Sequence, residues 1–243
     1  MDAMTMPYRV EDPKVLAAVK PGDKITFTLV VSDTASHVEN IRVIPYENLD
    51  RDPVQAVRLK ILDEALQSKQ GFVPLLQRGQ VVPDFTLVDQ NKQNVALSEL
   101  RGKVVAITFI YTRCPLPDYC FRLSNNFARL QKRFPDRMGK DLVLLSITFD
   151  PEHDQPDVLA KYAETWKAGV YGWHFLTGDL AAVKRICGMF GMNFWPDGGL
   201  LTHSLHTAVI DRDGKLVANI EGNQFTAVQL GDLVQSTLDA SYR

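Results

Sequence analysis

The run Val104-Val-Ala-Ile-Thr-Phe-Ile110, followed at once by Tyr111-Thr-Arg-Cys-Pro-Leu-Pro-Asp-Tyr-Cys120, decides the fold. Seven residues that are apolar almost throughout suit a strand covered on both faces, as in the middle of a parallel sheet. After the cysteine-bearing loop, Leu123, Phe127, Leu130 and Phe134 recur at helical spacing until Pro135 stops them. Further on, Leu142 to Phe149 reads as a second buried strand. Pro156 opens a helix carrying Leu159, Tyr162 and Trp166, and Asp179 opens another carrying Leu180, Val183, Cys187 and Phe190. Thr207 to Ile210, the turn Asp211-Arg-Asp-Gly214 and Leu216 to Ile220 make a hairpin, and a last helix runs from about Thr226 to Leu238. Upstream, Phe85 to Val88 and Asn94 to Leu97 start the domain as a short hairpin. The order β-β-β-α-β-α-α-β-β-α predicts a mixed sheet of four or five strands with helices on both faces.

That pattern is α/β and thioredoxin-like over residues 82–243. Ahead of it, Tyr8 to Ile44 is rich in strand formers, with Ile25 to Val31 after the turn signal Pro21-Gly-Asp23 and His37 to Ile44 after a polar run. Residues 1–45 are therefore expected to form a small all-β segment, too short to bury much surface alone. Residues 46–81 read as a linker with one helix, Val54 to Leu66, and a turn-rich tail at Gly71, Pro74 and Gly79. The 243 residues, 45% hydrophobic and 23% charged, are those of a globular chain. A net charge of −2 offers no footprint for a nucleic-acid backbone, so DNA and RNA are not expected as partners. No window reaches the 18 or so apolar residues of a membrane span, and Met1 to Lys20 has no signal-peptide core.

Chemistry concentrates in the loop. Three cysteines are too few for a disulfide scaffold, but Cys114 and Cys120 lie together just past the carboxyl end of a buried strand, where α/β sheets collect reactive groups. A helix N-terminus and Arg113 both favour thiolate over thiol, so both sulfurs are expected to ionise. The competing reading is two ordinary loop cysteines; structural cysteines, however, sit on buried apolar faces. Cys187 does so, on one stripe with Leu180, Val183 and Phe190, and reads as core. Of the five histidines, His203 and His206 follow the loop Pro196-Asp-Gly-Gly199 and precede a strand, so at least one is expected in a loop beside the sheet. A lone loop histidine is usually just solvated. Beside two thiolates it completes a set suited to Cu(I), which also serves Cu(II), whereas zinc normally wants a fourth ligand.

From about Val82 to the C-terminus the chain resembles the SCO/SenC family of thioredoxin-like copper proteins, which help assemble the dinuclear copper centre of cytochrome c oxidase. The resemblance rests on Val104 to Cys120, Thr148-Phe-Asp-Pro-Glu-His-Asp154, Trp173-His-Phe-Leu-Thr-Gly178, and His203 ten residues before Asp213. It implies copper held by Cys114, Cys120 and His203, with His206 belonging to the strand. The loop here is Cys-x5-Cys with Pro115 and Pro117 inside, against the family's usual Cys-x3-Cys. Ala3-Met-Thr-Met-Pro-Tyr-Arg-Val10 with Pro21-Gly-Asp23 is similar to the second half of a CusF-type periplasmic copper-binding barrel, which implies a secondary, weak site at Met4 and Met6.

The function expected from these resemblances is a copper metallochaperone for the copper-binding subunit of cytochrome c oxidase. It would work in the periplasm or on the outer face of the membrane, reaching that membrane only through an N-terminal anchor that this chain lacks. The alternative is a thiol-disulfide oxidoreductase in which Cys114 and Cys120 cycle between dithiol and disulfide, served by a thioredoxin-like reductant. No proline lies between Pro196 and Ile210, where thioredoxin-type reductases carry a cis-proline, and His203 stands in that neighbourhood instead. A peroxidase is the third reading, weakened because Thr112 lies two residues before Cys114 and not three.

Overall fold

The computed structural model describes residues 8–10, 12–20, 23, 25–31, 36–43, 73–168, 172–197 and 199–240. The chain divides into two compact units, Met1–Phe72 and Val73–Arg243. In the first, Ile25–Val31 (β1) pairs antiparallel with Ser36–Val43 (β2), from Ile25 opposite Val43 to Val31 opposite Ser36, with a slip in register between Thr26 and Thr28. Val38 is buried on the hairpin and bridges to Val10, and the Tyr8 and Phe27 rings meet at 4.9 Å. The expected strands are thus present. Met4, Met6 and the expected helix Val54 to Leu66 lie outside the described residues.

The second unit holds a seven-stranded sheet. Its strands are Thr86–Asp89 (β3), Asn94–Ala96 (β4), Val104–Ile110 (β5), Leu142–Thr148 (β6), Trp173–Thr177 (β7), His206–Ile210 (β10) and Leu216–Glu221 (β11). Between β7 and β10 lies a separate ribbon, Phe194–Asp197 (β8) with Leu200–His203 (β9). The helices are Arg122–Arg133 (α1), Pro156–Thr165 (α2), Leu180–Met189 (α3) and Ala227–Ala240 (α4). The sheet order is β11-β10-β5-β6-β7-β3-β4, with β5, β6 and β7 parallel and the outer neighbours antiparallel. Every residue of β5 and β6 is buried, as central parallel strands must be. This mixed sheet with flanking helices is thioredoxin-like.

The sheet is wider than the four or five strands expected. One extra strand is β7, whose Trp173 donates its indole N–H to Ser146 Oγ at 3.0 Å and so pins the strand beside β6. Leu180 departs from expectation too: it is exposed, while Val183, Cys187 and Phe190 carry the buried stripe of α3. Asp179 caps that helix by accepting from the Ala182 N–H at 2.8 Å. Among the described residues no helix is long and apolar enough to cross a membrane.

One topological fact positions the site. β10 runs antiparallel to β5, Thr207 opposite Thr108 with their hydroxyls 3.3 Å apart, so the carboxyl end of β5 and the amino end of β10 open at the same edge of the sheet. The cysteine loop leaves from the first, and the β9–β10 connection arrives at the second.

Candidate metal centre

Past Ile110 the chain turns at once, the Cys114 N–H donating to the Tyr111 carbonyl at 3.3 Å. Pro115 and Pro117 follow, and Pro117–Phe121 winds into one wide π-type turn that runs into α1. The five intervening residues do not drive the cysteines apart, because the turn folds Cys120 inward. Its side chain is only 1% exposed, within the core cluster, while Cys114 is half-buried. Asn223 holds the loop's outer end by donating to the Asp118 carbonyl at 2.5 Å.

The third donor comes from the other side of the sheet edge. His203 is the last residue of β9 and His206 the first of β10, so neither stands in a loop, where at least one was expected. The His203 Nδ1 donates to the Ser204 carbonyl at 2.8 Å; a carbonyl can only accept, so Nδ1 carries a proton and Nε2 is the nitrogen placed to meet a metal. The ring, 7% exposed, is enclosed by Phe149 at 4.7 Å, Tyr111 at 5.6 Å and Tyr119 at 6.0 Å between ring centroids, the two tyrosines edge-on. Ligand atoms of Cys114, Cys120 and His203 all lie within 4.8 Å of one another.

A carboxylate that sequence reasoning passed over holds the loop in place. Asp154, fully buried, accepts from the Thr112 N–H at 3.0 Å, the Thr112 hydroxyl at 2.5 Å and the Thr148 hydroxyl at 2.5 Å. It ties the residues before Cys114 to the end of β6. Its neighbour Asp150 takes the Arg113 guanidinium at 2.7 Å and His153 at 2.8 Å. Arg113 also donates to the Gly199 carbonyl, so its charge is engaged away from the sulfurs it was expected to activate. The available signal was the run Thr148 to Asp154 directly after a buried strand, at the end where ligands gather.

The two thiols therefore differ, and the expectation that both ionise is corrected. The Cys120 S–H and the His203 ring against it hold the Cys114 thiol well below its ordinary range. Complete burial, and then the neighbouring Cys114 sulfur, push Cys120 up. Desolvation outweighs any helix-terminus effect there, because a buried anion needs more than one polar neighbour. Tyr111, buried beside both sulfurs, stays a neutral phenol. Two sulfurs and one imidazole nitrogen at this spacing suit a soft ion in two- or three-fold coordination, or a disulfide. Among the described residues no fourth His, Cys, Asp or Glu joins the group.

The other candidates stand apart. His206 is the first residue of β10 and points away, its Nδ1 3.2 Å from Asn219 Oδ1. Cys187 is 1% exposed on α3, its thiol pushed up by burial. Met4 and Met6 lie outside the described residues.

Residues 74–238 match the family model SCO1/SenC, and residues 1–43 match that of the copper binding periplasmic protein CusF. A Stutzerimonas stutzeri protein named for copper binding is 33% identical over 156 residues, 62% of this chain and 74% of its own. This chain spans 74% of the length of that relative and 49% of that of the SCO1 protein homolog of Bacillus subtilis. The structure of BsSco, described as a member of the Sco family of cytochrome c oxidase assembly proteins with a disulfide switch, superposes with a TM-score of 0.57 at 26% identity, covering 68% of this chain and 98% of that one. Yeast Sco1 with copper bound superposes with a TM-score of 0.56 at 25% identity, over 69% and 90%. With the matched model spanning most of its length and the donor triangle at the expected sheet edge, the chain belongs to the SCO1/SenC family.

Proposed function

We propose that this protein is a copper carrier that holds one copper ion through Cys114, Cys120 and His203 and delivers it to the copper-binding subunit of cytochrome c oxidase. The observation that carries the reading is the convergence of those three donors within 4.8 Å, on a histidine whose ring is aimed by its own neighbour's carbonyl. Thiolates favour Cu(I), and an added imidazole makes a set that also accepts Cu(II), so one site serves both oxidation states of its cargo. Copper is a substrate here: it must be bound tightly enough to travel and be open to a competing ligand at its destination. Half-buried Cys114 is the donor such a ligand reaches, while Cys120 and His203 are enclosed. Names of relatives support the cargo and the destination. The same resemblance supports work in the periplasm or at the outer face of the membrane, with a weak secondary copper site at Met4 and Met6.

Copper titration of the fully reduced protein, with metal measured after desalting, tests this directly. One equivalent should remain bound in the wild type and none in Cys114→Ala/Cys120→Ala. A wild type that emerges metal-free would overturn the carrier.

A second reading, thiol-disulfide exchange on cysteines of the oxidase subunit or of other exported proteins, is favoured by the unequal pair itself. A nucleophilic Cys114 backed by a protonated Cys120 is the arrangement such exchange uses. Mild oxidation should remove two hydrogens from the Cys114–Cys120 peptide pair and leave Cys187 a free thiol. Rapid turnover of a model disulfide by metal-free protein would promote this reading over the first.

A further inference from the structure

The expanded loop does more than preserve the distance between the sulfurs. It places Tyr119 between them in sequence, immediately before Cys120, with its side chain turned inward at 6% exposure. The Tyr119 ring meets His203 edge-on, 6.0 Å between centroids at 84°. One aromatic thus spans two legs of the donor triangle: its backbone belongs to the loop that carries both sulfurs, and its ring abuts the third donor. Tyr111 does the same from the other end of the loop, 5.6 Å from His203 at 84°, and Phe149 lies against the same imidazole at 4.7 Å. The backbone of Tyr119 (φ −107°, ψ −111°) breaks the helical turn around it, which separates its course from that of Pro117 and Asp118. Leu116 and Asn223 hold the turn from outside, accepting from the Tyr119 N–H at 3.1 Å and donating to the Asp118 carbonyl.

Coordination number is what such a wall controls. Zn(II) prefers four ligands, whereas Cu(I) is content with two or three, and a protein separates them by geometry and not by raw affinity. A water or an external ligand completing a tetrahedron needs room beside the donors. Aromatic rings enclose His203, whereas Cys114 is only half-buried.

We propose that Tyr119, brought in by the long Cys-x5-Cys loop, is a selectivity residue that closes the His203 side of the site to a further ligand and so favours copper over zinc, while the Cys114 side stays open for transfer. This rests on the copper-carrier reading. It assigns Tyr119 no chemical step: the ring acts by occupying space.

Two measurements on the intact chain test it, with Tyr119→Ala removing the ring and Tyr119→Phe keeping it. Competition titration with Cu(I) and Zn(II) should show the Zn(II)-to-Cu(I) affinity ratio rising about tenfold or more in Tyr119→Ala and unchanged in Tyr119→Phe. With Cu(II) loaded, water-proton relaxation should be faster for Tyr119→Ala than for wild type, because an exchangeable water now reaches the ion. Disulfide closure between Cys114 and Cys120 checks that the loop still holds its sulfurs together. Should Tyr119→Ala fail that check, Tyr119→Val, which fills only part of the space, is expected to give the same two shifts in smaller measure. Unchanged affinity ratio and relaxation in a variant that still closes its disulfide overturns the inference. Failure of the wild type to retain Cu(I) overturns instead the reading beneath it.

Discussion

His203 and His206 leave the same two-residue connection, both are nearly buried, and both use Nδ1 to bond a neighbouring oxygen. Their surroundings nevertheless give them opposite trades. His203 ends β9, bonds a backbone carbonyl, and turns Nε2 toward two sulfurs within a wall of aromatic rings. His206 begins β10, bonds the side-chain amide of Asn219 on β11, and sits on the wall of a pocket of about 540 Å³ with Gly191 and Glu221. Asn219 in turn donates to the Phe190 carbonyl at 2.7 Å, so its oxygen faces His206 and the ring serves the packing of β11 against the end of α3. The lesson is that burial and a hydrogen bond do not make a ligand. What differs is the company at the second nitrogen.

The sharpest way to break this contrast is to remove each ring. His203→Ala should abolish the thiolate-to-Cu(II) charge-transfer absorption while sparing much of the Cu(I) binding, since two thiolates alone satisfy a linear Cu(I). His206→Ala should leave both signals intact. The opposite pattern in the spectrum would exchange the two roles.

A smaller effect, in the other direction, is expected on stability. His206→Ala leaves the Asn219 amide oxygen without its donor and opens space beneath β10, a loss of about 1–3 kcal/mol in denaturant unfolding. An equal or larger loss confined to the Cu(II) signal, with no change in unfolding midpoint, would argue against a packing role.

The smallest effect is the pH dependence. Burial holds the His206 pKa below its ordinary value, the bond to Asn219 opposing this only in part. Above about pH 6.5 the ring is neutral in folded and unfolded chains alike, and its contribution is fully present. As the pH falls below that, the unfolded ring takes a proton that the folded ring refuses, and stability declines until the folded ring titrates too. In His206→Gln the slope of stability against pH between about 6.5 and 5 should be shallower than in the wild type.

Sequence alone was enough for the features that depend on one strong pattern. The apolar runs of β5 and β6 have a single use, a strand covered on both faces, and Cys187 shares its stripe with Val183 and Phe190. β7 escaped because Trp173-His-Phe-Leu-Thr177 mixes a half-buried histidine into five residues, too few for a period to show, although Gly172 and Gly178 bracket it. The β8–β9 ribbon escaped because Pro196 sits in one strand and Gly199 at the turn, both of which read as breakers. Cys120 could be placed near a helix start but not inside the core, since the inward fold of a five-residue spacer is decided by what fills the space around it. Asp154 carried only the signal of its place just past β6; its role shows in three dimensions, where it joins Thr112, in the loop after β5, to Thr148 at the end of β6.

The antiparallel pairing of β5 with β10 has one more consequence, for the order in which the chain acquires its site. The sulfurs are close in sequence and can meet as soon as the loop after β5 forms, but the imidazole arrives only when a segment far downstream docks across Thr108 and Ala106. A chain still waiting for its C-terminal hairpin is a two-sulfur ligand; the docked chain is a three-donor one. On the copper-carrier reading, an ion that binds the docked form better must favour docking by the same ratio, so metal captured early by the cysteines would pull the last strands into register.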